Sequence, residues 1–203
     1  KNVVLSMDTL VTTPDGTPMF FASKASYVPH LRTLIAGTGV AGFSNDWAKT
    51  VSCEMVLKSI HNLDHHTPIS LRKKWQDFCE KFPEMAARTT TIYQWGYDKI
   101  TDKIVGFAYR SADNFVSEEL CFGWRYKPEC EHATSGDVLT CIPTMMQQQR
   151  RIQEQLPISE RRHIGGECMS FVLNKDGCST FTSFIFSDYE DMEAEIFSNY
   201  SNL

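Results

Sequence analysis

The densest cluster of potential metal ligands is the run His61-Asn62-Leu63-Asp64-His65-His66. His61 and His65 stand four residues apart, a spacing that can place two imidazoles on one helix face within reach of one ion. The run lacks the glutamate of an H-E-x-x-H site, and it leads into Pro68. It therefore reads as the solvated C-terminal end of a helix, where histidines also suit the helix dipole. No metal and no other cofactor is expected. A thiol nucleophile could be sought in Cys53 with His61, or in Cys168 near His163. Neither pair carries a known local signature, and buried inert cysteine is the commoner case. Gly37-Thr38-Gly39-Val40-Ala41-Gly42 loosely mimics a dinucleotide fingerprint, but no βαβ unit surrounds it, so it reads as a strand-to-helix corner. Asp8 and Lys24, taken alone, read as a structural ion pair at a strand end. Arg150-Arg151 and Arg161-Arg162 read as solvated helix faces, and the four tryptophans as core or subunit-interface residues rather than a platform for bases.

Composition narrows the setting. The chain has 203 residues, 20 basic against 25 acidic, and a formal net charge of −5. That is ordinary globular composition, and its acidic balance argues against a nucleic-acid partner. Its apolar runs fall short of the ~18 residues a membrane span needs, so no membrane partner is expected. Seven scattered cysteines with no CxxC pair fit a reducing compartment, and the expected location is the cytoplasm.

The elements that must position these residues follow from periodicity. Asn2–Thr13 reads as a strand, Pro14-Asp15-Gly16 as a turn, Met19–Phe21 as a second strand and Leu31–Thr38 as a third. A helix capped by Ser44 or Asn45 is expected to carry the stripe Trp47, Val51, Met55, Ile60. A second helix is expected over 70–86, with Trp75, Phe78, Cys79 and Phe82 on its buried side. Thr89–Tyr97 and Ile104–Tyr109 form a hairpin, and 115–124 holds one more strand. The stretch 127–137 reads as a loop and 143–155 as a helix with proline at its start. A hairpin over 167–174 and 179–186 turns at Asp176-Gly177, and 191–197 closes the chain as an acidic helix. Strands in blocks separated by helix pairs argue for an antiparallel α+β architecture in a single domain spanning 1–203, not for a βαβ alternation.

Several segments resemble proteasome β-subunits. Val3–Thr13 (VVLSMDTLVTT) is similar to that family's second strand. Lys24 follows Asp8 at the family's spacing. LIAGTGVAG stands where the family has its glycine corner, and HIGGECMSFVLNKDG at 163–177 is similar to its S-G-G strand and D-G turn. The resemblance implies the N-terminal-nucleophile (Ntn) hydrolase fold, a four-layer αββα sandwich of two antiparallel sheets, with its first strand upstream of residue 1. It also implies cleavage of an amide or peptide bond by an N-terminal Thr, Ser or Cys not visible in this chain. The nucleophile's own amine would act as base. Lys24 would lower the nucleophile's pKa, Asp8 would hold Lys24, and backbone N–H groups at Gly37, Thr38 and Gly39 would form an oxyanion hole. A homo-oligomer is implied too, with the helix pair of 44–86 as its interface. The chain departs from the family at Arg161-Arg162-His163-Ile164, where an acidic residue and a serine are replaced. It departs again at Phe122-Gly123-Trp124-Arg125, where a serine- and glycine-rich corner is expected. These departures favour the alternative: a catalytically silent member serving as an assembly or binding module.

Overall fold

The computed structural model describes residues 2–131 and 137–201. The chain divides into two compact units, each built from helices and antiparallel strands. Part of the expected loop at 127–137 lies outside the described residues.

The first unit holds residues 24–122 with short pieces at 1–3 and 172–179. Its sheet runs in the order β4 (Ala25–Val28), β5 (Thr33–Thr38), β6 (Thr91–Asp98), β7 (Lys103–Arg110), β8 (Ser117–Glu119), every pairing antiparallel. Helices α1 (Phe43–Cys53) and α2 (Ile60–Lys81) accompany it. Phe43, Trp47 and Val51 of α1 join Ile60, Leu63 and Leu71 of α2 in one core with Ile35, Ile92, Phe107 and Tyr109 of the sheet. The register explains how α2 lies on β6. Alternate residues of a strand share a face, and Ile92, Gln94, Gly96 and Asp98 are all buried. Gln94 hydrogen-bonds Thr67 of α2 at 3.2 Å. A Cβ on Gly96 would fall 2.8 Å from Ile60, so the helix approaches as closely as it does only because that position is glycine. Asp98 lies 3.5 Å from the His61 imidazole.

Three sequence expectations change in this unit. The strand expected over 31–38 is β5 from Thr33, with Leu31 ending a 3-10 turn at Pro29–Leu31, and β4 precedes it where no strand was expected. The stripe Trp47–Ile60 is two elements: Met55 and Val56 lie in the connection, and Val56 is fully exposed. The second helix starts ten residues earlier than expected, because Ser59 caps it by accepting the Asn62 N–H at 3.2 Å. His61-Asn62-Leu63-Asp64-His65-His66 therefore forms the first turns of α2, not the end of a helix, and Pro68 sits inside it.

The second unit holds residues 4–23, 123–171 and 180–203. The segment expected as one strand over 2–13 breaks at Thr9 into β1 (Val3–Asp8) and β2 (Leu10–Thr12), and β2 pairs with β3 (Pro18–Phe21). A three-stranded sheet orders β1, β9 (Glu167–Leu173) and β10 (Cys178–Ile185). A row of hydroxyls crosses it: Ser6 meets Ser170 at 2.6 Å, and Ser170 meets Ser183. Helix α3 (Val138–Glu154) begins five residues before the expected start, placing Pro143 within it. Its Ile142 and Met146 pack on Ile164, Cys168 and Phe186. Helix α4 (Tyr189–Ser201) closes the chain, extending the expected 191–197 at both ends. Arg150 of α3 grips the Asp188 carboxylate with both terminal nitrogens and lies 5.2 Å from the Phe186 ring centre.

Asp98 is the buried acid of the β6–β7 hairpin. It accepts from the Ile100 and Thr101 backbone N–H groups and from the Thr101 hydroxyl. The Thr101 hydroxyl first, then those backbone bonds and His61, hold its carboxyl below the usual range. A carboxyl with a lowered folded-state pKa stabilises above its unfolded pKa and loses that contribution as pH falls through the folded value. Asp98→Ala should cost about 1–3 kcal/mol at pH 7. In urea unfolding, its difference from wild type should shrink steadily below about pH 4, the unfolded carboxyl range.

Candidate functional site

In the second unit the candidate residue Asp8 ends β1 and is stitched to the segment before β9. Its Oδ2 accepts the Gly165 N–H at 3.3 Å. Thr9 donates its N–H to the Glu167 carbonyl at 2.9 Å, and its hydroxyl oxygen accepts the Glu167 N–H at 2.8 Å. Leu10 donates to the Gly165 carbonyl at 3.2 Å. Three consecutive residues thus bond Gly165 and Glu167 on either side of Gly166, and the two glycines make that approach possible. Gly166 has φ +77°, and a Cβ there would fall 2.5 Å from the Thr9 hydroxyl and 2.8 Å from the Phe21 ring. A Cβ on Gly165 would press on Met192 and Leu10.

The residues around this clamp have structural partners of their own. Burial first, then the neighbouring Asp8 charge, pushes the Cys168 thiol up to about 12. It stays protonated at neutral pH and is no thiolate nucleophile. Arg161 donates to the Glu154 and Leu156 carbonyls at 2.7 and 3.0 Å, closing the C-terminal end of α3. His163 packs its imidazole on Gly16 of the β2–β3 turn, where a Cβ would lie 2.4 Å from the ring. Burial and then the Arg161 charge lower its pKa, against an opposing pull from Asp15. Gly123, beside Phe122 in the sequence, has φ +149°, and Trp124 stacks loosely with Tyr126.

In the first unit, Lys24 stands immediately before β4. Its carbonyl accepts the Gly37 N–H at 3.3 Å, carrying the β4–β5 ladder one residue further. Gly37 fits because Ser44 of α1 occupies the space of its missing Cβ, 2.4 Å away. The Thr38 carbonyl accepts the Thr90 hydroxyl at 3.2 Å, and the Thr38 hydroxyl is buried without a hydrogen bond among the described residues. Gly39 has φ +102°, and a Cβ there would fall 2.1 Å from the Thr89 carbonyl oxygen. The corner 37–39 is therefore glycine by necessity at both ends. It leads to α1 through Gly42 (φ 80°), and β5 is antiparallel to both neighbours, which removes the dinucleotide reading.

Among the described residues no three His, Cys, Asp or Glu side chains gather to hold a metal ion. His61 faces Asp98, and Asp64 serves a buried network that sequence reasoning did not find. The Asp64 carboxylate accepts from the Tyr109 hydroxyl at 2.7 Å and from Ser117, while Gln94 joins Tyr109 to Thr67. Burial, then Asp64, holds the Tyr109 hydroxyl firmly protonated. The signal was available: a polar Gln inside the β-branched and aromatic run 91–97 must find partners when buried. No helix among the described residues is long and apolar enough to cross a membrane.

No protein-family model matches the chain, and no curated protein matches it. Among solved structures the chain is similar to Anbu (ancestral beta-subunit) from Yersinia bercovieri. The match has a TM-score of 0.52 and covers 98% of this chain and 89% of that one, at 7% identity. The likeness concerns the fold alone; at such identity, activity does not follow from it.

The clamp gives a direct test by mutation. Gly166→Ala should destabilise by about 2–5 kcal/mol, since a left-handed backbone conformation and a steric overlap add. Gly42→Ala has the same sign of φ but open space around it, and should cost only about 1–2 kcal/mol. Equal losses in chemical denaturation would mean that the Thr9–Gly166 contact is not tight.

Proposed function

We propose that this chain is a hydrolase of the N-terminal-nucleophile type that cleaves an amide or peptide bond. The observation that carries the reading is the local construction at Asp8 and at the 37–39 corner within a proteasome-β-like fold. Asp8 is anchored at a strand end by a backbone N–H, and a glycine corner brings peptide N–H groups to a strand terminus. The likeness to Anbu supports the four-layer αββα sandwich as the fold of the single domain. A homo-oligomer with the α1–α2 pair as its interface belongs to the same proposal.

In this mechanism an N-terminal Thr, Ser or Cys, on a segment preceding Lys1, attacks the carbonyl carbon. Its own α-amine takes the hydroxyl or thiol proton and returns it to the leaving amine. The Lys24 ammonium favours the deprotonated nucleophile by charge. The Gly37 N–H already serves the Lys24 carbonyl and Thr38 is paired with Thr91 of β6, so the donor the corner offers to the developing oxyanion is the Gly39 N–H. Hydrolysis of the acyl intermediate by water regenerates the nucleophile.

A second reading has its own observation. The positions where the resemblance expects an acid and a serine hold Arg161, which closes α3, and Ile164, which is buried against Ile142 and Met146. Side chains so engaged suit a catalytically silent binding or assembly module. Kinetics on the mature protein with fluorogenic peptide amides separates the two. The hydrolase reading expects turnover that Lys24→Ala lowers at least a hundredfold, a loss on the scale of one proton-transfer or charge contribution. Thermal unfolding should remain cooperative in that variant. Turnover unaffected by Lys24→Ala would remove these residues from the mechanism, and no turnover at all would favour the module.

A further inference from the structure

The three-stranded sheet ends on an open strand. β10 pairs with β9 on one side and, among the described residues, with no strand on the other. An unpaired edge presents a row of backbone N–H and C=O groups to any strand that approaches, so proteins blunt such edges by shortness, charge or proline. The other edges of this protein are blunted in that way. β2, β3 and β4 have three, four and four residues, β8 has three with two glutamates, and β1 ends in Asp8. β10 has eight residues, CSTFTSFI, with no charge, proline or glycine. Ser179, Thr180, Phe181 and Thr182 are exposed, and Ile185 is 54% exposed. A long, neutral, exposed edge of this kind suits the addition of another strand.

The order of its residues selects the occupant. Ser179-Thr180-Phe181-Thr182-Ser183 reads the same in both directions. Antiparallel strands run in opposite directions, so a second β10 placed about a two-fold axis at Phe181 sets like against like. Phe181 then opposes Phe181, Thr180 opposes Thr182, and Ser179 opposes Ser183. Aromatic pairs and Thr–Thr pairs are stabilising across strands, whereas like charges directly opposed are costly. The chain carries a net charge of −5, which sets two copies against each other in general, but β10 brings no charge into the pairing. Residues directly opposite share a face of the sheet, and Ser183 already meets Ser170, which meets Ser6. Ser179 of a second copy extends that row of hydroxyls by one strand. A strand of unrelated sequence matches the backbone of this edge but not its order.

We propose that β10 is a self-pairing edge: two copies of this chain join β10 to β10, antiparallel about a two-fold axis at Phe181, into one continuous sheet. The assembly closes as a dimer through this contact, because each copy uses up its own open edge. The surface differs from the α1–α2 pair, and the proposal stands whether or not the chain turns over an amide.

The test is sedimentation velocity of the full chain over a concentration series. The wild type should show a reversible dimer. Phe181→Lys and Phe181→Glu should each weaken association about tenfold or more, since each sets like charges opposite one another at the axis. An equimolar mixture of the two variants should restore the dimer, because the lysine of one copy then meets the glutamate of the other. A role for Phe181 confined to its own copy gives no such rescue. Thr180→Lys mixed with Thr182→Glu repeats the rescue at exposed positions, should the Phe181 variants fail to fold by circular dichroism. A wild-type monomer at every concentration would overturn the proposal. So would a dimer indifferent to Phe181→Lys, or a loss that mixing does not repair. A dimer that Ile69→Lys, at an exposed residue of α2, dissolves while Phe181→Lys leaves it intact would assign association to the helix pair and overturn the proposal too.

Discussion

The second unit depends on the hydrogen-bonded joint between Asp8-Thr9-Leu10 and Gly165-Gly166-Glu167. It converts one extended run into two strands, because Thr9 leaves the β1 direction to bond Glu167 twice, through its N–H and through its hydroxyl. β2 then departs to pair with β3, and β3 meets α4 through the Phe21–Tyr189 stack. The arrangement needs a residue without Cβ at 166, so a positive φ and a steric limit act on the same atom pair. Asp8 takes its position from this joint, and so does the burial of Cys168 beside it.

The first unit is organised by one face of β6. Ile92, Gln94, Gly96 and Asp98 alternate apolar, polar, small and acidic, and α2 or its own turn answers each buried polar group. Gln94 finds Thr67 and Tyr109, and Asp98 finds Thr101, the turn N–H groups and His61. Buried polar groups without partners are costly, so this face fixes the rotation of α2 about its axis as well as its distance. The histidine run that looks like a metal site from its spacing is part of that fit: Asp64 and His61 are committed to Tyr109 and Asp98.

Period-based reading found most of the strands and the number of helices, because the β-branched run at 91–97 and the Asp-Gly turn at 176–177 carry strong local signals. It failed where a tertiary contact overrides the local pattern. The break at Thr9 has no glycine or proline to mark it, since a side-chain hydroxyl makes it. The stripe Trp47–Ile60 keeps helical spacing across a non-helical connection, so Met55 and Val56 deceive the pattern. Pro68 and Pro143 suggested helix boundaries, yet both lie inside helices whose real starts are set by Ser59 and by the residues after Asp137. For the candidate site, Gly37 and Gly39 were legible as close-approach positions, while Gly165 and Gly166 were legible only within the resemblance at 163–177. The structural uses of Arg161 and His163 were not, because they depend on residues far away in sequence or on backbone carbonyls.

The central proposal is that the chain cleaves an amide or peptide bond with a nucleophile at the start of the mature protein. The most direct measurement is the intact mass and N-terminal sequence of the mature protein isolated from its native source. The account predicts a free threonine, serine or cysteine at the N-terminus of a short segment preceding Lys1. A mature protein that starts at Lys1, or at any residue without a hydroxyl or thiol nucleophile, would contradict the hydrolase reading and leave the chain as a binding module.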